Sequence, residues 1–116
     1  MGNYLRKMAK ILKSIGDEKR LKIVKMLASN ADEVFCVSDI AERLEISQPA
    51  ASQHIRVLKD IGILDENRKG FRVFYTINSR VLEEYLKEIE ELFTRAFEKC
   101  PYNFSCADCP YHNKCQ

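Results

Sequence analysis

Apolar residues recur at helical spacing through most of this chain, and the breaks in that spacing mark its elements. Tyr4, Leu5, Met8, Ile11, Leu12 and Ile15 fall along one side of a first helix over residues 4–15, a face wider than one packing neighbour requires. Gly16 and Asp17 close it and cap a second helix over 17–29. There Leu21, Ile23, Val24, Leu27 and Ala28 point inward, and Lys19, Lys22 and Lys25 stay wet. Residues 30–37 read as a connection or a short strand able to pair with a later sheet. Ser38 then caps a short helix reaching 46, with Ile40, Ala41 and Leu44 on one side.

The stretch 47–62 is a longer helix with two unlike faces. Ser47 caps it, and Pro49 is tolerated because the first helical amides have no intrahelical partner. Ala51, Ile55, Leu58 and the close-packing Gly62 face a core, while Gln48, Ser52, Gln53, Arg56 and Lys59 look outward. Residues 63–66 and 72–77 alternate as strands, with Val73, Tyr75 and Ile77 on one face and a turn over 67–70 between them. Residues 79–99 form a last long helix, with Leu82, Leu86, Ile89, Leu92, Phe93, Ala96 and Phe97 on one side and five glutamates around the other. The fold class expected is mainly α with a small β-hairpin wing, a winged helix-turn-helix.

Charge changes what the outward face of 47–62 means. A polar helix face is by itself commonly just solvated. Here a hairpin tip carrying Arg68, Lys69 and Arg72 follows directly, and glutamine and serine early in a helix suit base edges while arginine and lysine suit phosphates. The net charge is only +2, so any nucleic-acid affinity must come from where the cations sit. The last helix has more apolar surface than a small core absorbs, which calls for a partner, and the simplest is a second copy joined through the first and last helices. A twofold homodimer sets its recognition helices about 34–36 Å apart and predicts an inverted-repeat operator in double-stranded DNA.

These motifs carry a resemblance. Residues 36–41 (Cys-Val-Ser-Asp-Ile-Ala), 47–54 (Ser-Gln-Pro-Ala-Ala-Ser-Gln-His), Lys69-Gly70 and 72–75 (Arg-Val-Phe-Tyr) resemble the ArsR/SmtB family of winged-helix repressors, over roughly residues 11–97. The resemblance implies a homodimer that blocks a promoter and releases it when a metal, metalloid or oxidant is sensed, with Ser52, Gln53 and His54 on DNA. Two departures stand out. Metal-sensing members often have Cys-Val-Cys where this chain has Cys36-Val37-Ser38, and the wing has Phe71 where a second basic residue is frequent. Cys36 itself reads as a small buried apolar residue. His54 has no second ligand four residues away, and no triad, phosphate loop or paired-carboxylate motif points to an enzyme.

The 116 residues support one domain over 1–99 and a distinct tail over 100–116. No apolar run suits a membrane and residues 1–14 lack the form of a secretory signal, so the expected location is cytoplasmic. The tail repeats Cys-Pro-Tyr, three residues, Cys, and holds four of the five cysteines, Cys100, Cys106, Cys109 and Cys115. Where thiols stay reduced, such a set suits a metal or redox site better than a static disulfide framework. Only Cys106 and Cys109 form a two-residue-spaced pair, which favours an iron–sulfur cluster over zinc. Zinc, another thiophilic metal or metalloid, a disulfide switch and a purely structural knuckle remain open alternatives.

Overall fold

The computed structural model describes residues 2–98. Five helices and one hairpin follow in the order α1 (Gly2–Ile15), α2 (Glu18–Ser29), α3 (Val37–Leu44), α4 (Gln48–Asp60), β1 (Leu64–Lys69), β2 (Arg72–Ile77) and α5 (Ser79–Arg95). Together they form a winged helix-turn-helix, as the apolar pattern predicts. The strands pair antiparallel from Leu64 opposite Ile77 to Lys69 opposite Arg72. Phe35 adds a single bridge to Tyr75, so the connection after α2 does join the sheet edge.

One core joins α2, α3, α4 and the hairpin base. Ile23, Leu27, Ile40, Leu58 and Ile63 are fully enclosed there, with Ala51 and Ile55 beside them. Truncating one of the large side chains to alanine costs about 2–5 kcal/mol, a large share of a typical total of about 5–15 kcal/mol. Leu21 and Ala28, expected inward, are exposed, because α2 buries only the narrow stripe through Ile23 and Leu27.

Caps set where α2, α3 and α4 begin and where the helix-turn-helix bends. The Asp17 carboxylate accepts the amides of Lys19 and Arg20 at 2.9 and 3.2 Å. These bonds, Arg20's first, hold its carboxyl below the ordinary carboxylate range. Helix α3 starts earlier than expected, with Cys36 rather than Ser38 at the cap. The Cys36 amide and thiol both donate to Asp39 Oδ2, at 3.0 and 3.1 Å. Cys36 is therefore half-buried and polar in its contacts, not a core residue.

Both helices of the motif end in the same way. After α4, the amide of Ile63 bonds the carbonyl of Leu58 and that of Gly62 bonds Lys59, with Gly62 at φ 83°. This is the Schellman arrangement, in which glycine takes the left-handed position. After α3, Ile46 bonds Ala41 and Glu45 bonds Glu42 in the same pattern, yet the left-handed residue is Glu45, at φ 56°. A side chain there is strained, and its negative charge lies at the negative end of α3.

Two other elements differ from the sequence expectation. The hairpin is tighter, because Asn67, Arg68 and Lys69 lie in β1 and only Gly70 and Phe71 turn the chain. Gly70 has φ 64° and Phe71 does not share the positive φ, the pattern of a type II′ turn matched to strand twist. Helix α5 ends at Arg95 instead of 99, and Asn78 caps its start by accepting the amide of Val81. Tyr85 donates to the carbonyl of Ile61, and Tyr4 on α1 donates to that of Glu88, tying α5 to the body.

Glu45→Gly should relieve the strained turn and stabilise the protein by about 0.5–1 kcal/mol, raising Tm by roughly 3–6 °C. Gly62→Ala should lower Tm. Thermal melts of both variants check this; a fall for Glu45→Gly would show that its side chain holds the turn by a contact.

Candidate nucleic-acid interface

Helix α4 turns one face inward and leaves the opposite one in water. Ser47 caps it by accepting the amide of Ala50 at 3.2 Å, so its hydroxyl already has a structural task. Ala51, Ile55 and Leu58 are buried. Gln48, Ser52, Gln53, Arg56 and Lys59 are exposed, as their spacing predicts. The uncharged amide and hydroxyl groups lie toward the N-terminus, with Arg56 and Lys59 further along.

His54 differs from its neighbours. It is half-buried, and its Nδ1 lies 3.2 Å from an Nη1 of Arg20 and 3.9 Å from Asp17 Oδ1. A guanidinium only donates, so Nδ1 accepts and the ring proton is assigned to Nε2. Arg20 also donates to the carbonyls of Ser14 and Lys13, at the end of α1. One arginine thus links three helices. His54, expected on the polar side of α4, lies instead at its edge with Nδ1 turned toward Arg20. Three positions after Ala51, it sits about 60° round the helix from the core line, on the edge that meets α2.

Lys59 is exposed but not free. Its Nζ lies 2.8 Å from Glu66 Oε2, and Tyr75 donates to Glu66 Oε1 at 3.2 Å. Glu66 therefore fastens α4 to both strands of the wing. The Lys59 hydrogen bond holds the Glu66 carboxyl below its ordinary value, and the same bond raises Lys59. Burial, then the Glu66 charge, pushes the Tyr75 hydroxyl up. Toward the tip the wing changes sign: Asp65 and Glu66 lie near its base, and exposed Arg68, Lys69 and Arg72 lie near its end.

The expected metal set lies elsewhere. Cys100, Cys106, Cys109 and Cys115 fall outside the described residues. Among the described residues, no group of three cysteine, histidine or carboxylate side chains is placed to hold a metal ion. No described helix is long and apolar enough to cross a membrane.

The scaffold and its exposed groups have counterparts among known proteins. Residues 17–66 match the family described as bacterial regulatory protein, arsR family. An uncharacterised HTH-type transcriptional regulator of Methanocaldococcus jannaschii is 38% identical over 86 residues, covering 74% of this chain and 94% of that protein. This chain belongs to the ArsR family. The arsenical resistance operon repressor of Bacillus subtilis is 31% identical over 84 residues, covering 72% of this chain and 78% of the repressor. In three dimensions, the homodimeric winged helix-turn-helix DNA-binding domain of a possible ArsR-family regulator from Mycobacterium bovis superposes with a TM-score of 0.61. That likeness is at 24% identity and covers 81% of this chain and 84% of the domain. As an ArsR-family member, the protein is a DNA-binding transcriptional regulator.

Sequence reasoning missed Arg20 and Glu66, the two side chains that hold this face in place. Neither has a local signal, since each acts across elements: Arg20 on α4 from α2, and Glu66 between α4 and the wing. The signs of the bridge's pH dependence follow from its two shifts. Glu66, shifted down, contributes above its ordinary 4.5 and loses the contribution as pH falls through its folded value. Lys59, shifted up, contributes below its ordinary 10.5 and loses the contribution as pH rises through its folded value. At neutral pH both groups are charged and the bridge is intact. Glu66→Gln should release Lys59 and steepen the salt dependence of duplex binding by about 0.9 log units per protomer. Fluorescence anisotropy over a salt series measures this, and an unchanged slope would place Lys59 away from the phosphate backbone.

Proposed function

We propose that the protein is a homodimeric repressor that reads an inverted-repeat operator with α4 and the wing, and that its cysteine tail is the input. The observation that carries the reading is the exposed row of Gln48, Ser52, Gln53 and Arg56 on α4, standing beside a wing whose tip carries Arg68, Lys69 and Arg72. Amide and hydroxyl groups near the start of α4 supply base contacts in the major groove. Arg56 and the wing cations supply phosphate contacts, which dominate affinity. Ser47 contributes through its place at the helix start, with its hydroxyl held in the cap. His54 contributes by positioning α4 through Arg20.

Dimerisation rests on what α5 leaves uncovered. None of its residues is buried, Leu86 and Phe93 are 56% and 59% exposed, and Phe97 just beyond its end is 95% exposed. Leu12 on α1 is exposed too. A second copy covering α1 and α5 removes this surface from water, and apolar burial contributes about 25 cal/mol per Å². The Mycobacterium bovis domain is homodimeric, which supports a second copy as the partner. The glutamates on the outer side of α5 would be repelled by DNA and keep that helix off the duplex.

The input belongs to residues 100–116, which begin shortly after the helix assigned to the dimer. Four thiolates suit an iron–sulfur cluster, zinc or another thiophilic metal or metalloid, and the Bacillus subtilis relative represses an arsenical resistance operon. For such an input to act, the ligand must favour one arrangement of the protomers over the other, so that the two α4 helices leave the register of successive grooves.

Protein purified without oxygen should absorb near ~400 nm and contain iron and sulfide if the tail holds a cluster. Operator affinity should then change at least about tenfold when the cofactor is lost. Cys106→Ser combined with Cys109→Ser should keep basal DNA binding and abolish the response. A response that survives both substitutions would remove the tail as sensor; tightly held zinc, indifferent to oxidants and without effect on DNA binding, would make it a structural knuckle.

A further inference from the structure

The wing ends in a side chain that folding does not account for. Gly70 and Phe71 make the two-residue loop between Lys69 and Arg72, and Phe71 is fully exposed. The turn needs Gly70 for its positive φ but asks nothing apolar of the next position. Nothing lies within 4 Å of where a Cβ on Gly70 would stand, so the tip is clear of the body. Arg68, Lys69 and Arg72, all exposed, stand within three residues of Phe71 at the end of the hairpin. A single exposed apolar residue is ordinary on a protein surface. An aromatic ring held at the far end of a cationic hairpin is placed to meet a polyanion.

We propose that Phe71 is an apolar wedge that enters the minor groove beside the major groove read by α4, and presses its ring against a base-pair step there. The inference rests on the DNA-binding reading and adds to it a residue that sets preference at the edges of the operator. The six-residue strands carry the tip roughly 20 Å from the hairpin base. Half a turn of duplex, the spacing from a major groove to the next minor groove, is roughly 17 Å. The Lys59–Glu66 bridge fixes the wing beside α4, so the two elements reach adjacent grooves together. The cations flanking the ring meet the phosphates on the groove walls, and the ring itself, unable to pair with phosphate, reaches the bases between them. Wedges of this kind partly unstack a step and bend the duplex. Pyrimidine–purine steps deform most easily, so the flanks of the operator should favour them.

The test uses the full chain and a duplex that it selects from a randomised pool. Affinity at matched salt and DNA bending, by energy transfer between end labels, are compared for the unsubstituted protein, Phe71→Ala and Phe71→Leu. Because the ring is fully exposed, circular dichroism should show both variants folded. Phe71→Ala should lose roughly tenfold in affinity, the scale of a lost base–aromatic contact, with its salt slope unchanged because no charge is removed. It should also leave the duplex straighter and lose the flanking step preference, while Phe71→Leu retains most of the affinity and bend. Equal affinity and equal bend for Phe71→Ala would overturn the wedge and leave the DNA reading standing. A loss accompanied by a shallower salt slope would assign the effect to displaced cations and overturn it too. If the unsubstituted protein shows no salt-sensitive duplex binding, the DNA reading and the wedge fall together.

Discussion

What the protein offers to a partner depends on how α4 is seated. Ala51, Ile55 and Leu58 lie in the same buried core as Ile40, Leu44 and Ile23, so one side of α4 is committed to α2 and α3 and the other is left in water. Ala51 is fully buried and small, which lets helix backbones come close. Schellman turns close both helices of the motif, and the direction of the outward face follows from them. A change at Leu58 or Ile40 would therefore shift the aim of α4 without touching any group on its exposed face.

Polar contacts refine that aim. Arg20 ties the end of α1 and the start of α2 to His54, and Glu66 ties Lys59 to the wing. Each takes a side chain that would otherwise serve as a surface charge or ligand and gives it a structural partner. The net charge of +2 understates the contrast across the surface. Cations concentrate at the wing tip and glutamates on α5, a division that suits a protein approaching a polyanion from one side.

The elements were legible because each repeats its apolar residues at its own period and because Asp17 and Ser47 mark helix starts locally; Gly62, expected on the core face within the helix, instead lies past its end and closes it from the left-handed position. Exposure of Gln48, Ser52, Gln53 and Arg56 follows from the same periodicity. What escaped depends on distant residues. His54 is one helical edge away from Gln53, and its environment is decided by Arg20, over thirty positions earlier in the chain. Whether Lys59 is free is decided by Glu66. Cys36 looked like a small core residue because its role as a cap depends on the Asp39 carboxylate turning back toward it. Leu21 fits a helical stripe, yet α2 has too few neighbours on that side to bury it.

Two copies joined through α1 and α5 would present two α4 faces and two wings to one side of a duplex. Hydroxyl-radical footprinting of the full chain on its selected duplex, with the stoichiometry of the complex from sedimentation velocity, tests this most directly. The account predicts two protomers per duplex and two symmetric protected regions, centred about one helical turn apart, with lesser protection outboard of each where the wings lie. A single unsymmetric footprint from one protomer would contradict it.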